Sequence, residues 1–203
     1  KLQTRLQSIY PWRLGERRFF GKPGIIIPTI RSERRKYLPC AFTDEETVIS
    51  NTAQSIYFNK PYIFSILSSK IMTSWVEAVG GKFESRLIFS SQLCYNNFPF
   101  PIISDQRKQE LTQTTFRILE EREKHSDKTL AELYDPDKMP DGLREAHHLN
   151  DLAVERCYRS KPFESDEERL EYLFKLYEQM IEEEKERDTL FAKEKKKSSR
   201  KNK

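Results

Sequence analysis

The stretch "LCYNNFPFPIIS", residues 93–104, separates two textures, and the fold class turns on how it is read. Upstream lie short runs rich in β-branched and aromatic residues: "GIIIPTI" (24–30), "KYLPCAF" (36–42), "TVISNTAQSIYF" (47–58) and "ESRLIFSSQL" (84–93). These read as strands. Downstream, charged segments carry apolar residues at helical spacing. Pro99 and Pro101 stop the last strand, and Ser104 is placed to cap a helix through Leu111, Ile118 and Leu119. The expectation is an α+β chain: a mixed strand-and-helix part over 1–102, an all-helical part over 103–192 and a disordered basic tail over 193–203.

Between the last two strand runs, "PYIFSILSSKIMTSWVEAVGG" (61–81) starts at Pro61, repeats apolar residues near i, i+3 and i+4, and ends in Gly80-Gly81. It reads as one helix with a proline start and a glycine stop. Beyond the seam, Asp141 is placed to cap a helix through Leu143, Ala146, Ala153, Val154 and Tyr158. Ser165 and Glu168 have the spacing of a capping box, opening a helix with Leu170, Leu173, Phe174, Tyr177, Met180 and Ile181 on one face. "YDPDKMP" (134–140) reads as a turn, because Pro136 and Pro140 flank acidic turn formers.

A hydrophobic share of 36% in 203 residues is enough for a core. The longest apolar run, Ile25–Ile27, is far too short to span a membrane. The chain opens on Lys1, and "KLQTRLQSIYPWR" lacks the apolar centre of a signal peptide, so it is expected to be part of a longer polypeptide. Cys40, Cys94 and Cys157 lie far apart without CxxC or CxxH spacing, which argues against a zinc site or a disulfide framework and fits a reducing cytoplasm. His147 and His148 are helix neighbours, about 100° apart around the axis, and cannot share a metal.

Charge is unevenly distributed. Residues 1–100 hold 14 Lys and Arg against 7 Asp and Glu, while the rest holds 22 against 25, so the basic half is the one expected to meet a polyanion. Arg13, Arg17, Arg18, Arg31, Arg34, Arg35 and Lys36 cluster there, interleaved with Trp12, Phe19, Phe20 and Tyr37, and countered only by Glu16 and Glu33. Guanidinium groups hold phosphates or read guanine edges, which makes duplex DNA the sensible partner. The plainer account is a basic surface on an ordinary soluble domain.

The seam also poses a chemical question, because an asparagine among aromatics and prolines resembles the NPPF or NPPY signature of amino-methyltransferases. Neither Asn96 nor Asn97 is followed by proline, and no glycine-rich turn between strand and helix offers a seat for a methyl donor. Nuclease chemistry needs two acidic residues and a lysine around a divalent ion. The basic half has one acidic set inside an expected strand, "ESR" (84–86), and the carboxylates of the other half alternate with Lys and Arg as on a solvated helix face. Catalytic residues, a metal site and a cofactor site are therefore not expected in this chain.

The segments "SERRKYLP" (32–39), "ISNTAQSIYF" (49–58), "SSKIMTSWVEAVGGKFESRLIFSSQLCYNNFPFP" (68–101) and "HSDKTLAELYDPDKMPDGLREAHHLNDLAVERCYRSKPFESDEERLEYLFKLYE" (125–178) resemble the C-terminal part of MmeI-like (type IIL) restriction-modification enzymes. Members of that family join a nuclease, an adenine-specific DNA methyltransferase, a target recognition domain and a small helical C-terminal domain. The resemblance implies that residues 1 to about 102 are the latter portion of the recognition domain. The methyltransferase, with its S-adenosylmethionine and catalytic residues, would lie on a part not included here.

The resemblance also places the family's specificity-determining pair at Glu84 and Arg86, with Ile88, Asn51 and Thr52 at further variable positions. The chemistry agrees, since alternate strand residues face one way, Arg donates twice to guanine and Glu accepts from the cytosine amino group. A surface salt bridge between the two is the plainer account of Glu84 and Arg86. Arg31, Arg34, Arg35 and Lys36 are expected to contact the DNA backbone. The leading expectation is a sequence-specific double-stranded DNA recognition module that delivers its target to a methyltransferase domain on the same or a neighbouring polypeptide and is no enzyme by itself. The alternative is a helical scaffold of a restriction-modification complex with only weak DNA contact.

Overall fold

The computed structural model describes residues 21–201, with side chains described as far as Arg187. The expected contributions of Trp12, Arg13, Glu16, Arg17, Arg18, Phe19 and Phe20 lie outside the described residues. Six short strands form two antiparallel sheets. In the first, β1 (Gly24–Pro28) lies between β3 (Ala41–Thr43) and β4 (Ala53–Ile56). In the second, β6 (Arg86–Ile88) lies between β2 (Ile30–Ser32) and β5 (Gly81–Phe83). Thr29 joins the two: its N–H donates to Thr52 O at 2.8 Å, and its carbonyl accepts from Phe89 N at 2.8 Å.

Several expected strands are shorter than their apolar runs. Pro39 has no N–H to give a ladder, and the Cys40 N–H turns back onto Leu38 O, so β3 begins only at Ala41. "ESRLIFSSQL" does not form one strand. Glu84 and Ser85 make a tight turn between β5 and β6, and Ser91–Tyr95 wind into a π-helical turn in which the Ser90 side chain accepts from Leu93 N.

The expected single helix over 61–81 is two helices, α1 (Pro61–Leu67) and α2 (Lys70–Val79). The break has a local and a distant cause. Ser68 and Ser69 turn their hydroxyls back onto the carbonyls of Phe64 and Ile66, at 2.8 and 2.6 Å, as serines do when they compete with the helix ladder. The freed N–H of Lys70 then donates to Asp151 Oδ1 at 2.7 Å, a carboxylate from 81 residues further on. Gly80 ends α2 as expected, where a Cβ would collide with the carbonyl oxygens of Val76 and Ile88.

The helical part comprises α3 (Asp105–Glu123), the single turn α4 (Leu130–Leu133), α5 (Asp141–Glu155) and α6 (Asp166–Lys201). Ser104 caps α3 by accepting from Arg107 N, as read from the sequence. Thr129 and Glu132 form a full capping box on α4 that the sequence reading passed over. Ser165 accepts from Glu168 N, but the Glu168 carboxylate reaches Glu164 N, one residue before the reciprocal position. Pro140, not Asp141, is the N-cap of α5; its extended backbone sets the entry, and Asp141 sits in the first turn, where its charge still favours the helix dipole. Residues 193–201, expected to be disordered, continue α6 as helix, and their Lys-rich composition is that of good helix formers.

The buried apolar residues of both parts form one cluster. Ile25, Ile27, Leu38, Phe64, Leu67 and Trp75 meet Leu111, Ile118, Leu143, Val154 and Leu173. Trp75 donates its indole N–H to Cys94 O at 3.1 Å and is ringed by Phe98, Phe174 and Tyr177, so the seam residues close over it.

Polar bonds cross the seam as well. Arg122, on α3, stacks between Phe64 and Tyr134 and donates to Cys40 O at 2.7 Å. Tyr134 accepts from Arg122 and donates to His147 Nε2 at 2.7 Å. Burial, with Arg122 nearby, pushes the His147 pKa down to about 3, which keeps its ring neutral and able to accept that bond.

Candidate nucleic-acid interface

Register fixes the outer face of the second sheet. Directly opposed residues of antiparallel strands share a face, so one row runs Ile30, Ile88, Gly81 and the next runs Ser32, Arg86, Phe83. The two rows lie about 7 Å apart along the strands. Ile30, Phe83 and Arg86 are exposed on this face, whereas Arg31 and Leu87, one residue out of phase, are buried beneath it. The face sets Ser32 and Arg86 beside the apolar Ile30, Ile88 and Phe83.

Glu84 occupies the turn beyond the second row. It is not the strand residue its spacing suggested, because β5 ends at Phe83 and β6 starts at Arg86. Its φ is 57°, the left-handed region, while Ser85 has no positive φ. That is the φ pattern of a II′ hairpin turn, at a position glycine would take with less strain. The turn still brings the pair together: Arg86 Nη2 donates to Glu84 Oε2 at 3.0 Å, with both side chains more than half exposed. Arg86 also lies over the Phe83 ring, 5.7 Å from its centroid.

The other residues singled out from the sequence fall around this patch. Ile88 is half-buried in the first row. Asn51 and Thr52 are exposed in the turn before β4, and the Thr52 carbonyl is tied to Thr29, immediately beside the first row. The end of β2 opposite Arg86 leads into the loop 33–36, so the Arg-rich loop and the Glu84 turn leave the same end of the sheet.

The four basic residues of β2 and that loop part company. Arg31 is buried, with its side chain 1% exposed. It donates to Arg35 O at 2.6 Å and to Glu77 Oε1 on α2 at 3.1 Å. Burial draws its pKa down while Glu77 holds it up. A guanidinium so placed cannot reach a phosphate from this arrangement, which corrects its expected role: Arg31 holds the loop to the fold. Its partner Glu77 lies 46 residues away, beyond any local pattern.

Arg34 is exposed and paired with Asp137 at 2.6 Å, and Arg35 donates to Ala131 O at 3.4 Å, so the loop leans on the helical part. Lys36 is exposed. Sequence reading missed Phe83, whose signal was the alternation within "KFESRLI" once a turn is admitted at its centre, Ile30, which ends "GIIIPTI", and Asp137, which carried none.

No helix among the described residues is long and apolar enough to cross a membrane. Compared with known proteins, residues 1–102 match the family model of the MmeI target recognition domain, and residues 103–183 match that of the MmeI C-terminal domain. The chain is 41% identical over 179 residues to a protein of Bacillus subtilis (strain 168) named DNA methyltransferase A, covering 88% of this chain and 20% of that protein. Its fold superposes, with a TM-score of 0.84 and 32% identity, on a solved structure of the type IIL restriction-modification enzyme MmeI in complex with DNA, covering 90% of this chain and 24% of that one. The chain thus spans a fifth to a quarter of the length of these relatives. With its strand-built recognition half and its helical half each matched in order, the chain belongs to the MmeI family.

Proposed function

We propose that this chain is the sequence-specific, double-stranded DNA recognition module of an adenine-specific DNA methyltransferase or restriction-modification enzyme of the cytoplasm. It acts with a methyltransferase domain on the same or a neighbouring polypeptide. That domain supplies S-adenosylmethionine chemistry, while the residues of this chain bind and select. The carrying observation is the exposed Glu84–Arg86 pair at the tip of the β5–β6 hairpin, beside a basic loop.

The major groove is wide enough to take the tip of a β-hairpin, and there cytosine offers its amino group and guanine its O6 and N7. Glu84 accepts from the former and Arg86 donates to the latter, so the two partners exchange each other for the two halves of one base pair. Asn51, Thr52 and Ile88 border the same face and contact neighbouring positions. Lys36 and Arg35, with Arg34 once it leaves Asp137, hold the phosphates and set register without carrying sequence information.

Selection of bound sites from a randomised duplex pool, followed by gel shift, tests the reading. A Glu84→Lys plus Arg86→Asp variant should lose or change its preference at one base pair by about tenfold or more, with the salt dependence of binding little altered. An unchanged site preference would sink the assignment of these two residues. Absence of any duplex binding at low salt would sink the module.

A further inference from the structure

We propose that Phe83 is a further specificity residue, which reads the methyl group of a thymine next to the base pair held by Glu84 and Arg86. This rests on the DNA-reading function proposed above. Phe83 is opposed to Arg86 in the hairpin register and points to the same face, and its ring is 53% exposed. Ile30, 45% exposed, lies on that face one row away. With Ile88 between them, beside Ile30 and diagonal to Phe83, these side chains form an apolar strip across the face, and contiguous exposed apolar surface marks a contact site.

The groove follows from the charged pair. Cytosine N4 and guanine O6 and N7 are all on the major-groove edge, so a hairpin that places Glu84 and Arg86 against them carries Phe83 into the same groove. The apolar feature offered there is the thymine C5 methyl. Neighbouring strands are about 4.8 Å apart. Base pairs stack about every 3.4 Å. Phe83 therefore falls within two base pairs of the one Arg86 reads. The guanidinium over its ring limits how far that ring can swing, which gives the contact a fixed address.

The experiment replaces each thymine of the selected duplex in turn by deoxyuridine, which removes only the methyl, and measures affinity for the intact chain, Phe83→Ala and Phe83→Leu. The intact chain should show one sensitive thymine within two base pairs of the position altered by the Glu84 and Arg86 variant, weakening about fourfold without its methyl. Phe83→Ala should be blind to that replacement yet keep the preference at the Glu84–Arg86 position, and Phe83→Leu should retain the sensitivity.

A selected site without a thymine in that window, no sensitive position, or full sensitivity in Phe83→Ala would overturn the proposal. So would a uniform loss of affinity for all duplexes in Phe83→Ala, the behaviour of a general apolar wedge. If instead the Glu84 and Arg86 variant keeps the original preference, the underlying reading fails whatever Phe83 does. A shifted preference in that variant with an insensitive Phe83→Ala removes the Phe83 proposal alone.

Discussion

Replacing Arg31 with methionine separates two roles that the sequence alone cannot tell apart. In the fold its guanidinium donates to the carbonyl of Arg35 and to Glu77, with a longer contact to Ser32 O at 3.3 Å. Methionine fills much of the buried stem's volume and carries no charge to desolvate, so the loss is mainly that of the bonds. Glu77 is 36% exposed and regains water when its partner goes, which removes much of the penalty usual for breaking a buried pair. The carbonyls of the mostly exposed loop regain water too. The net cost is about 2 kcal/mol. For a chain of this size that lowers the thermal midpoint by about 4–8 °C.

Duplex binding by the same variant should weaken modestly and uniformly across sequences, because the loop is less well held. Its salt dependence should not change, since no phosphate contact is removed. Lys36→Ala is the converse control: stability unchanged, and the slope of log affinity against log salt reduced by about 0.9. Thermal denaturation and fluorescence anisotropy across a salt series read both. An Arg31→Met chain with intact stability and a slope lower by about one contact would refute the reasoning and return Arg31 to the DNA.

Two further perturbations probe the body and the loop. Asp151 is buried between Lys70 N and the Tyr37 hydroxyl, and burial raises its pKa to about 7. The fold therefore keeps a proton that the unfolded chain loses near pH 4, so the stability from this group is complete below about pH 4 and lost as pH rises through about 7. Thermal midpoints of Asp151→Asn, whose amide can still accept from Lys70 N, should lack that decline between about pH 4 and about pH 7, and identical pH profiles for the two chains would exclude it. Asp137→Asn frees Arg34 and should tighten low-salt duplex binding about two- to fivefold; weaker binding would mean that Asp137 positions Arg34 instead of competing for it.

What could be read from the chain depended on how far away the deciding partner lay. The Ser104 cap, the Gly80 stop and the helical stripes of α3, α5 and α6 follow from neighbours within a turn or two, and the structure has them. The break at Ser68-Ser69 did not show, because an apolar helical pattern continues across it and the group that satisfies Lys70 comes from α5. The hairpin at Glu84 did not show either, since its turn has none of the Asn-Gly or Asp-Gly signals and places a glutamate at positive φ. Arg31 belonged to a run of cations that looked uniform, and only its burial against Glu77 distinguishes it. Glu84 and Arg86 were located by family resemblance; direct-readout chemistry made them sensible without singling them out.

That division of labour among the arginines separates side chains that hold the fold from side chains open to solvent. Arg31 and Arg122 are spent inside, tying the loop 33–36 to α2 and α3 to Cys40, while Arg86 and Lys36 stay in solvent. On β6 the inward residue, Leu87, packs against the body, and the outward ones, Arg86 and Ile88, line the patch. Strand alternation thus separates the residues that hold the sheet from those that face outward, so an outward change need not disturb the inward packing. Glu84 is the exception, because its backbone is strained where glycine would relax it. A side chain kept in place against that cost is better explained by what the carboxylate does at the tip, beside Arg86, than by the turn it makes.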